Sequence, residues 1–460
     1  MPGTPQQQSG DPVLRQVLLG RGYLGLLLVA ALIGIPVSLV AFGFVGLEHQ
    51  LQHWIWESLP AAAGFDRAPW WWPLPALLLA GLLLAPVVTR LPGRGGHVPV
   101  DGLGGPPTPP SAVPGVVLAA LACLPLGAVL GPEAPLMALG GGLALLAVRS
   151  ARRTEHPQLV AVLGTAGAAA AISTIFGSPL VAGVMMIEAA GLGGPQLIAL
   201  ILPCLLASGV GALVFTGFGH WTGLSIGALS LPQVPPSGVP DPGDFLWGVP
   251  LAAAVAVVCV AGQALGRRVK AFTTGDPDGP RPAPTARQTA VRTVLCAVAV
   301  GACLAAYALL TGRSPEEAAL SGQATLGVLA ADPTAWPIGA LLALVLCKTV
   351  GWGIALGSLR GGPIFPAILI GAVLGAACAP LPGLGSAPAL AVGLAASGAA
   401  VTRLPVTSMV LAAMLLGGDA ANEMPLLIVA AVTAFVTGEL VRGRRRRGPV
   451  PADRGLPAGR

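Results

Sequence analysis

Two glutamates stand where acidic side chains are rare: Glu133 in LGPEAPLM and Glu188 in VMMIEAAG, each inside an otherwise apolar block. A carboxylate at membrane depth costs roughly 2.5–3.5 kcal/mol on insertion scales, so such a residue is a functional candidate by default. Glu133 follows Pro132, where the sequence predicts a helix to begin. Free backbone N–H groups and the positive end of the helix macrodipole attract an anion at such a place. A glutamate there can fill an anion site with its own carboxylate and vacate it when protonated or displaced, which makes it a pH-dependent gate. The alternative is a glutamate that merely caps its helix, and location alone does not separate the two. The remaining acids lie mostly near expected helix ends or in linkers.

The elements that hold these residues must be helices in a bilayer. Charged residues make up only 10% of the 460-residue chain and apolar ones 54%, where a soluble globular protein has about a quarter charged. The mean hydropathy of +0.79 agrees. A transmembrane β-barrel would show short segments of alternating polarity, whereas the apolar runs here, such as 23–45, 74–88 and 251–264, are continuous. With 65 Gly and 46 Pro, nearly a quarter of the chain is of these two types. They interrupt the apolar runs at Gly131-Pro132, Gly177-Ser178-Pro179, Gly361-Gly362-Pro363 and Leu404-Pro405. Several runs are shorter than the ~20 residues a full span needs. Non-helical backbone at membrane depth survives only where protein buries it or it lines a cavity, so many broken helices point to a transport pathway.

The predicted organisation is a cytoplasmic N-terminal segment (1–20), a first membrane half (21–266), a polar linker (267–289), a second half (290–441) and a basic cytoplasmic tail (442–460). Further polar stretches lie at 92–114 and 231–244. Arg15 and Arg21 precede the first span and Arg442 to Arg447 follow the last, so the positive-inside rule places both ends in the cytoplasm of a cell-membrane protein with an even number of crossings. The tail holds seven Arg and one Asp, which accounts for the whole net charge of +6; the preceding 441 residues balance at 18 basic and 18 acidic. The basic balance therefore gives little reason to expect a nucleic-acid surface, and the tail reads as a topology determinant contacting anionic lipid. The N-terminus has no basic stretch, so no cleaved signal is expected. The seven Cys lie in or beside apolar runs without metal-ligand spacing, and no metal or cofactor is expected.

The halves are related. GAVLGPEAPLMALG (127–140) resembles GSLRGGPIFPAILIG (357–371), and SPLVAGVMMIEA (178–189) resembles LPVTSMVLAAML (404–415). A break-then-helix pair in corresponding positions is the sequence trace of a transporter built from repeats, with its site at their interface. An intramembrane enzyme is a poor alternative. No H-E-x-x-H occurs, and His97, His156 and His220 fall in or beside predicted loops. A repeat-built carrier for an organic ion stays open at this level.

These motifs resemble, in order over roughly 93–416, those of the CLC family of chloride channels and proton-coupled chloride transporters. GPEAP resembles the family's G-K/R-E-G-P. The stretch 156–189 resembles the helix pair ending in N-A-P-L-A-G-x-x-F-x-x-E-E. GSLRGGPIFPA is similar to G-S-G-x-x-G-G-x-F-x-P, RLPVTSMVL to R-x-P-L-T-G-x-V-L, and GRGGHVP to a degraded G-S-G-I-P. The resemblance implies an all-α CLC-type fold of two repeated halves with short, broken and re-entrant helices. It also implies a homodimer with one pathway per subunit for chloride or a similar small anion, with Glu133 as the gate. The anion contacts implied are Gly96, His97, Gly131, Ala134, Gly361, Gly362, Ile364 and Phe365. Lys348, Arg360 and Arg403 are supporting positive charges; for Arg403, pairing with carbonyls or an acid is an equal alternative.

The chain departs from the family pattern at informative places. Gly96 replaces an anion-coordinating Ser, and His97 beside it is either a loop residue or a pathway lining. Pro363 has no N–H, so at most the amides of Ile364 and Phe365 serve the anion. Glu188 aligns with a residue usually held in a polar network, and Ala189 stands where many proton antiporters carry an inner acid. The pathway tyrosine is missing, since only Tyr23 and Tyr307 occur. The expectation is passive or weakly proton-coupled transport. Fewer than twenty residues follow Arg442, so the CBS regulatory domains of some relatives are not expected.

Overall fold

The computed structural model describes residues 21–103, 105–150, 157–191, 194–222, 231, 238–275 and 282–446. The expected N-terminal segment 1–20, His156 and tail residues 447–460 lie outside them. Helix α1 (Arg21–His53) passes through a π-helical turn, Trp54–Ser58, into α2 (Leu59–Ala62), and is followed by α3 (Pro73–Arg90) and α4 (Val113–Cys123). Then come α5 (Glu133–Ser150), α6 (Pro157–Phe176), α7 (Pro179–Ala190), α8 (Gly194–Thr222) and α9 (Pro242–Thr274). The later part comprises α10 (Ala286–Thr311), α11 (Gln323–Ala331), α12 (Ile338–Ser358), α13 (Ile364–Cys378), α14 (Ser386–Thr402), α15 (Pro405–Leu416) and α16 (Ala420–Arg446). Among the described residues, eight helices are long and apolar enough to cross a membrane, and five of 10–17 residues are apolar but shorter. The chain is a multi-pass, all-helical membrane protein; its described residues include no β-strand.

The breaks read in sequence are helix starts. Pro179 and Pro405 occupy first-turn positions, where proline's missing N–H costs nothing. Ser178 caps α7 by accepting from Val181 N at 3.4 Å. Asp241 and Thr285 begin α9 and α10 with reciprocal capping boxes. By contrast, α13 and α15 begin at Pro363 and Leu404 with no side-chain cap of their own.

The repeat is visible in packing. Helix α5 packs on α6 and α13 on α14. In each pair two glycines meet, Gly140 with Gly167 and Gly371 with Gly393; a Cβ on any of the four would overlap the facing carbonyl. Gly140 is seven residues into its repeat from Glu133, as Gly371 is from Ile364, and Gly167 and Gly393 each precede the next proline break by twelve residues. The length difference between halves therefore falls in the connections between the paired helices. The breaks themselves meet in an antiparallel bridge between Gly131 and Gly362, the approach expected of inverted repeats.

The expected linker 267–289 is helical at both ends. Helix α9 continues to Thr274 and α10 starts at Ala286. Arg267, Arg268 and Lys270 make the segment look like a loop, but Arg and Lys are good helix formers. Lys270 is fixed by Asp101 at 2.7 Å, and Thr273 Oγ1 donates to Gly357 O at 2.8 Å.

Candidate functional site: a glutamate at the junction of two helix starts

Gly131 N donates to Gly362 O at 2.9 Å and Gly362 N to Gly131 O at 2.5 Å, pinning the two breaks together. From this point α5 departs at Glu133 and α13 at Ile364, so two helix N-termini converge. Glu133 is fully buried. Its Oε1 accepts from Ile364 N at 2.5 Å, and the amides of Phe365 and of Glu133 itself also face the carboxylate. Oε2 is buried without a hydrogen-bond partner. Glycine at both bridge positions leaves room for the carboxyl at this place: a Cβ on Gly131 or on Gly362 would overlap it. The Phe365 ring lies 5.4 Å, centroid to centroid, from that of Phe176, the last residue of α6, tilted by 40°. Ile364 and Phe365 are buried and Gly361 packs against Leu130. Ala134, next to Glu133, is partly buried.

Glu188 does for α15 what Glu133 does for α13. Its Oε1 accepts from Val406 N at 2.9 Å, and its Oε2 from Thr407 N at 2.8 Å and Thr407 Oγ1 at 2.7 Å. Each intramembrane glutamate of the first half thus supplies the missing cap of the corresponding helix in the second. Ala189 beside it is exposed.

The other sequence candidates lie elsewhere. Gly96 faces Val116 of α4, and His97 is exposed beside Gly105; neither is among the hydrogen-bond partners of Glu133 in the described residues. Buried Arg360 binds carbonyls, Nε to Arg94 O at 3.2 Å and Nη1 to Leu359 O at 3.0 Å. Lys348, also buried, donates to the carbonyls of Ala318, Ala319 and Leu320. Arg403 ends α14 with φ 63° and pairs with Glu439 at 2.9 Å.

Sequence reading missed Glu48, which is buried on α1 near Glu133. It looked like a helix-end residue because LEHQLQH is polar. The continuing signal was the Trp54-Ile55-Trp56 run, through which the helix persists to Ala62. Beyond Glu48 a cavity of about 760 Å³ is lined by His49, Gln52, His53, Glu57, Glu316 and Glu317, among others. Burial, then the neighbouring Glu57 and Glu317, push the Glu316 carboxyl up to about 7. Glu317 instead accepts from Arg313 at 2.8 Å and Tyr307 OH at 2.5 Å. The Lys348-bound carbonyls belong to the same segment, 314–328.

The family model described as "Voltage gated chloride channel" matches residues 100–438. The chain belongs to this family. Relatives similar in sequence include "Putative ion-transport protein YfeO" of Salmonella paratyphi A, 32% identical over 209 residues covering 44% of this chain and 48% of the relative. The protein of the same name from Escherichia coli O139:H28 is 31% identical over 205 residues, with the same coverage. The chain thus spans about half the length of these relatives. The fold is shared with solved structures. A CLC-type fluoride/proton antiporter aligns with TM-score 0.70 and 18% identity, over 91% of this chain and 96% of that one. A slow cyanobacterial Cl−/H+ antiporter aligns with TM-score 0.71 and 16% identity, over 91% and 95%.

Proposed function

We propose that this protein moves chloride or a similar small inorganic anion across a membrane through a pathway gated by Glu133, passively or with weak proton coupling. The observation that carries this reading is the Glu133 carboxylate at the N-terminus of α13, hydrogen-bonded to Ile364 N. A carboxylate in that position occupies the place that suits a partly dehydrated halide. Each helix N-terminus offers roughly half a positive charge, and the membrane body has no net surplus of cations, so the attraction is built largely from backbone. Protonation of Glu133, or competition by an anion, frees the amides. Ala189 after Glu188 leaves that face without an inner acid, which supports weak coupling. The homodimer with one pathway per subunit and the cytoplasmic termini belong to the same proposal.

The test is anion efflux from proteoliposomes. Chloride, bromide or nitrate should pass and carboxylates should not, and Glu133→Gln should remove the response to external pH. An unchanged pH response in that variant would sink the gating role; passage of carboxylates would favour a carrier of another kind. A strictly coupled anion/proton antiporter is the second reading, favoured by a second buried carboxylate, Glu48, near Glu133. The reversal potential under combined chloride and proton gradients separates the two.

A further inference from the structure

Glu48 is only 3% exposed on α1, whose neighbours include α5, and its carboxylate lies within electrostatic reach of Glu133. The side-chain amide of Gln52, one turn on, donates to Glu48 Oε1, and Gln52 itself lines the cavity. At the inner end, Glu133 Oε2 is buried and unpartnered. Polar groups therefore lead from the cavity through Gln52 to Glu48, on a helix that packs against the one bearing Glu133. The π turn at Trp54–Ser58 follows directly; π segments inside helices are frequent at functional sites. Trp56 Nε1 donates to Pro125 O at 3.0 Å, fastening this end of α1 over the segment that leads to Glu133.

Among the described residues, the elements packed on α1 carry few other ionisable groups. Helix α5 carries Glu133 and, in its last turn, Arg149. Helix α6 has none, and α8 has Cys204 and His220; Cys204 lies by Tyr23, towards the far end of α1. His49 and His53 are on α1, and Glu57 and Glu316 face the cavity.

We propose that Glu48 is the proton-transfer residue for the gate, passing protons between the cavity and Glu133. This rests on the reading of Glu133 as the gate. A proton arriving from the cavity binds the Glu48 carboxylate. The Glu48 O–H bond then breaks as a Glu133 O–H bond forms, the electron pair staying on Glu48. Neutral Glu133 is a weaker acceptor for Ile364 N–H than a carboxylate or halide, so it yields the amide to the anion. Because α15 runs from Glu188 at one end to Leu415 at the cavity, the relay serves one face only. The gate then senses pH on the cavity side without needing an acid after Glu188.

The test records chloride current from the reconstituted full chain on a solid-supported membrane during fast pH exchange on the cavity side. Glu48→Gln should slow the rise of current after an acid jump by roughly 10²-fold, the low end of what a positioned proton-transfer group contributes, and reduce the steady acid-pH current by a much smaller factor. Glu48→Asp should recover part of the rate, and Gln52→Leu should slow it in the same direction. The acid-minus-alkaline infrared difference spectrum should lose one carboxylic-acid band in Glu48→Gln, which a structural role would not cause. If Glu48→Gln does not fold, Glu48→Asp and Gln52→Leu carry the test. A wild-type rise time in Glu48→Gln, with a pH response that Glu133→Gln still removes, overturns the relay alone. No current with chloride, bromide or nitrate in the wild type overturns the transport reading and the relay with it.

Discussion

Ile364 N donates to Glu133 Oε1 across 231 residues of sequence, at a point where two helices begin and two glycines join their backbones. The pairing matters because α13 has no local cap. Its first N–H groups need an acceptor, and a hydrogen bond to a charged group contributes roughly 1.5–3 kcal/mol. Anything that displaces the carboxylate must offer comparable bonds, as a halide can, or weaken the carboxylate by protonating it.

Gly362→Ala tests the junction directly. Its φ is not positive, so the methyl brings no backbone strain, but it would overlap the Glu133 carboxyl. The side chain must leave Ile364 while the methyl remains in the passage. Proteoliposome efflux should lose most of its pH dependence and fall at acid pH. A wild-type pH profile would show that the carboxylate position does not control flux.

Glu188→Gln separates capping from gating. The amide keeps one acceptor oxygen where the carboxylate accepts from Val406 N, Thr407 N and Thr407 Oγ1. The loss should be about 1–3 kcal/mol, read as a lower melting temperature in detergent, with the pH dependence of efflux retained. Loss of that dependence at unchanged melting temperature would contradict this division.

Lys348→Met probes the wall of the cavity. Leu320 is held at φ 57°, a conformation that costs a non-glycine residue about 1–3 kcal/mol unless its surroundings impose it. Lys348 Nζ binds the carbonyls of Ala318, Ala319 and Leu320. Without the ammonium, amide hydrogen exchange in 314–328 should speed up while α13 and α14 stay protected. Unchanged exchange there would mean that Lys348 does not hold this segment.

Glu316 gives a pH signature. In the folded protein its carboxyl is raised from 4.5 to about 7, by burial first and then by Glu57 and Glu317. Between those values the folded state binds more protons than the unfolded chain, so the stability it contributes is full below the lower value and is lost as pH rises through the upper one. Glu316→Gln stays neutral throughout. Its melting temperature should match the wild type at about pH 4, below the lower value, and exceed it at about pH 8. A difference of equal size at both would refute the assignment.

Sequence alone made the membrane class, the four breaks and the two embedded glutamates of the apolar blocks legible, because apolar length and Gly-Pro punctuation act locally. The repeat was legible too, and packing sharpened it to matched glycine contacts at Gly140–Gly167 and Gly371–Gly393. Glu48 was not. Polar neighbours hid its depth, and only the continuation of the helix past Trp56 set it well short of the helix end. The positive charges were legible as residues but not as roles. Lys348 and Arg360 serve carbonyls and Arg403 serves Glu439, since a charge's role depends on which groups surround it. The same division holds at the centre. Local chemistry decided that α13 and α15 begin uncapped, which the proline breaks announce. Which acid answers each was decided by tertiary structure, because Glu133 and Glu188 reach their partners only after the two halves pack against each other.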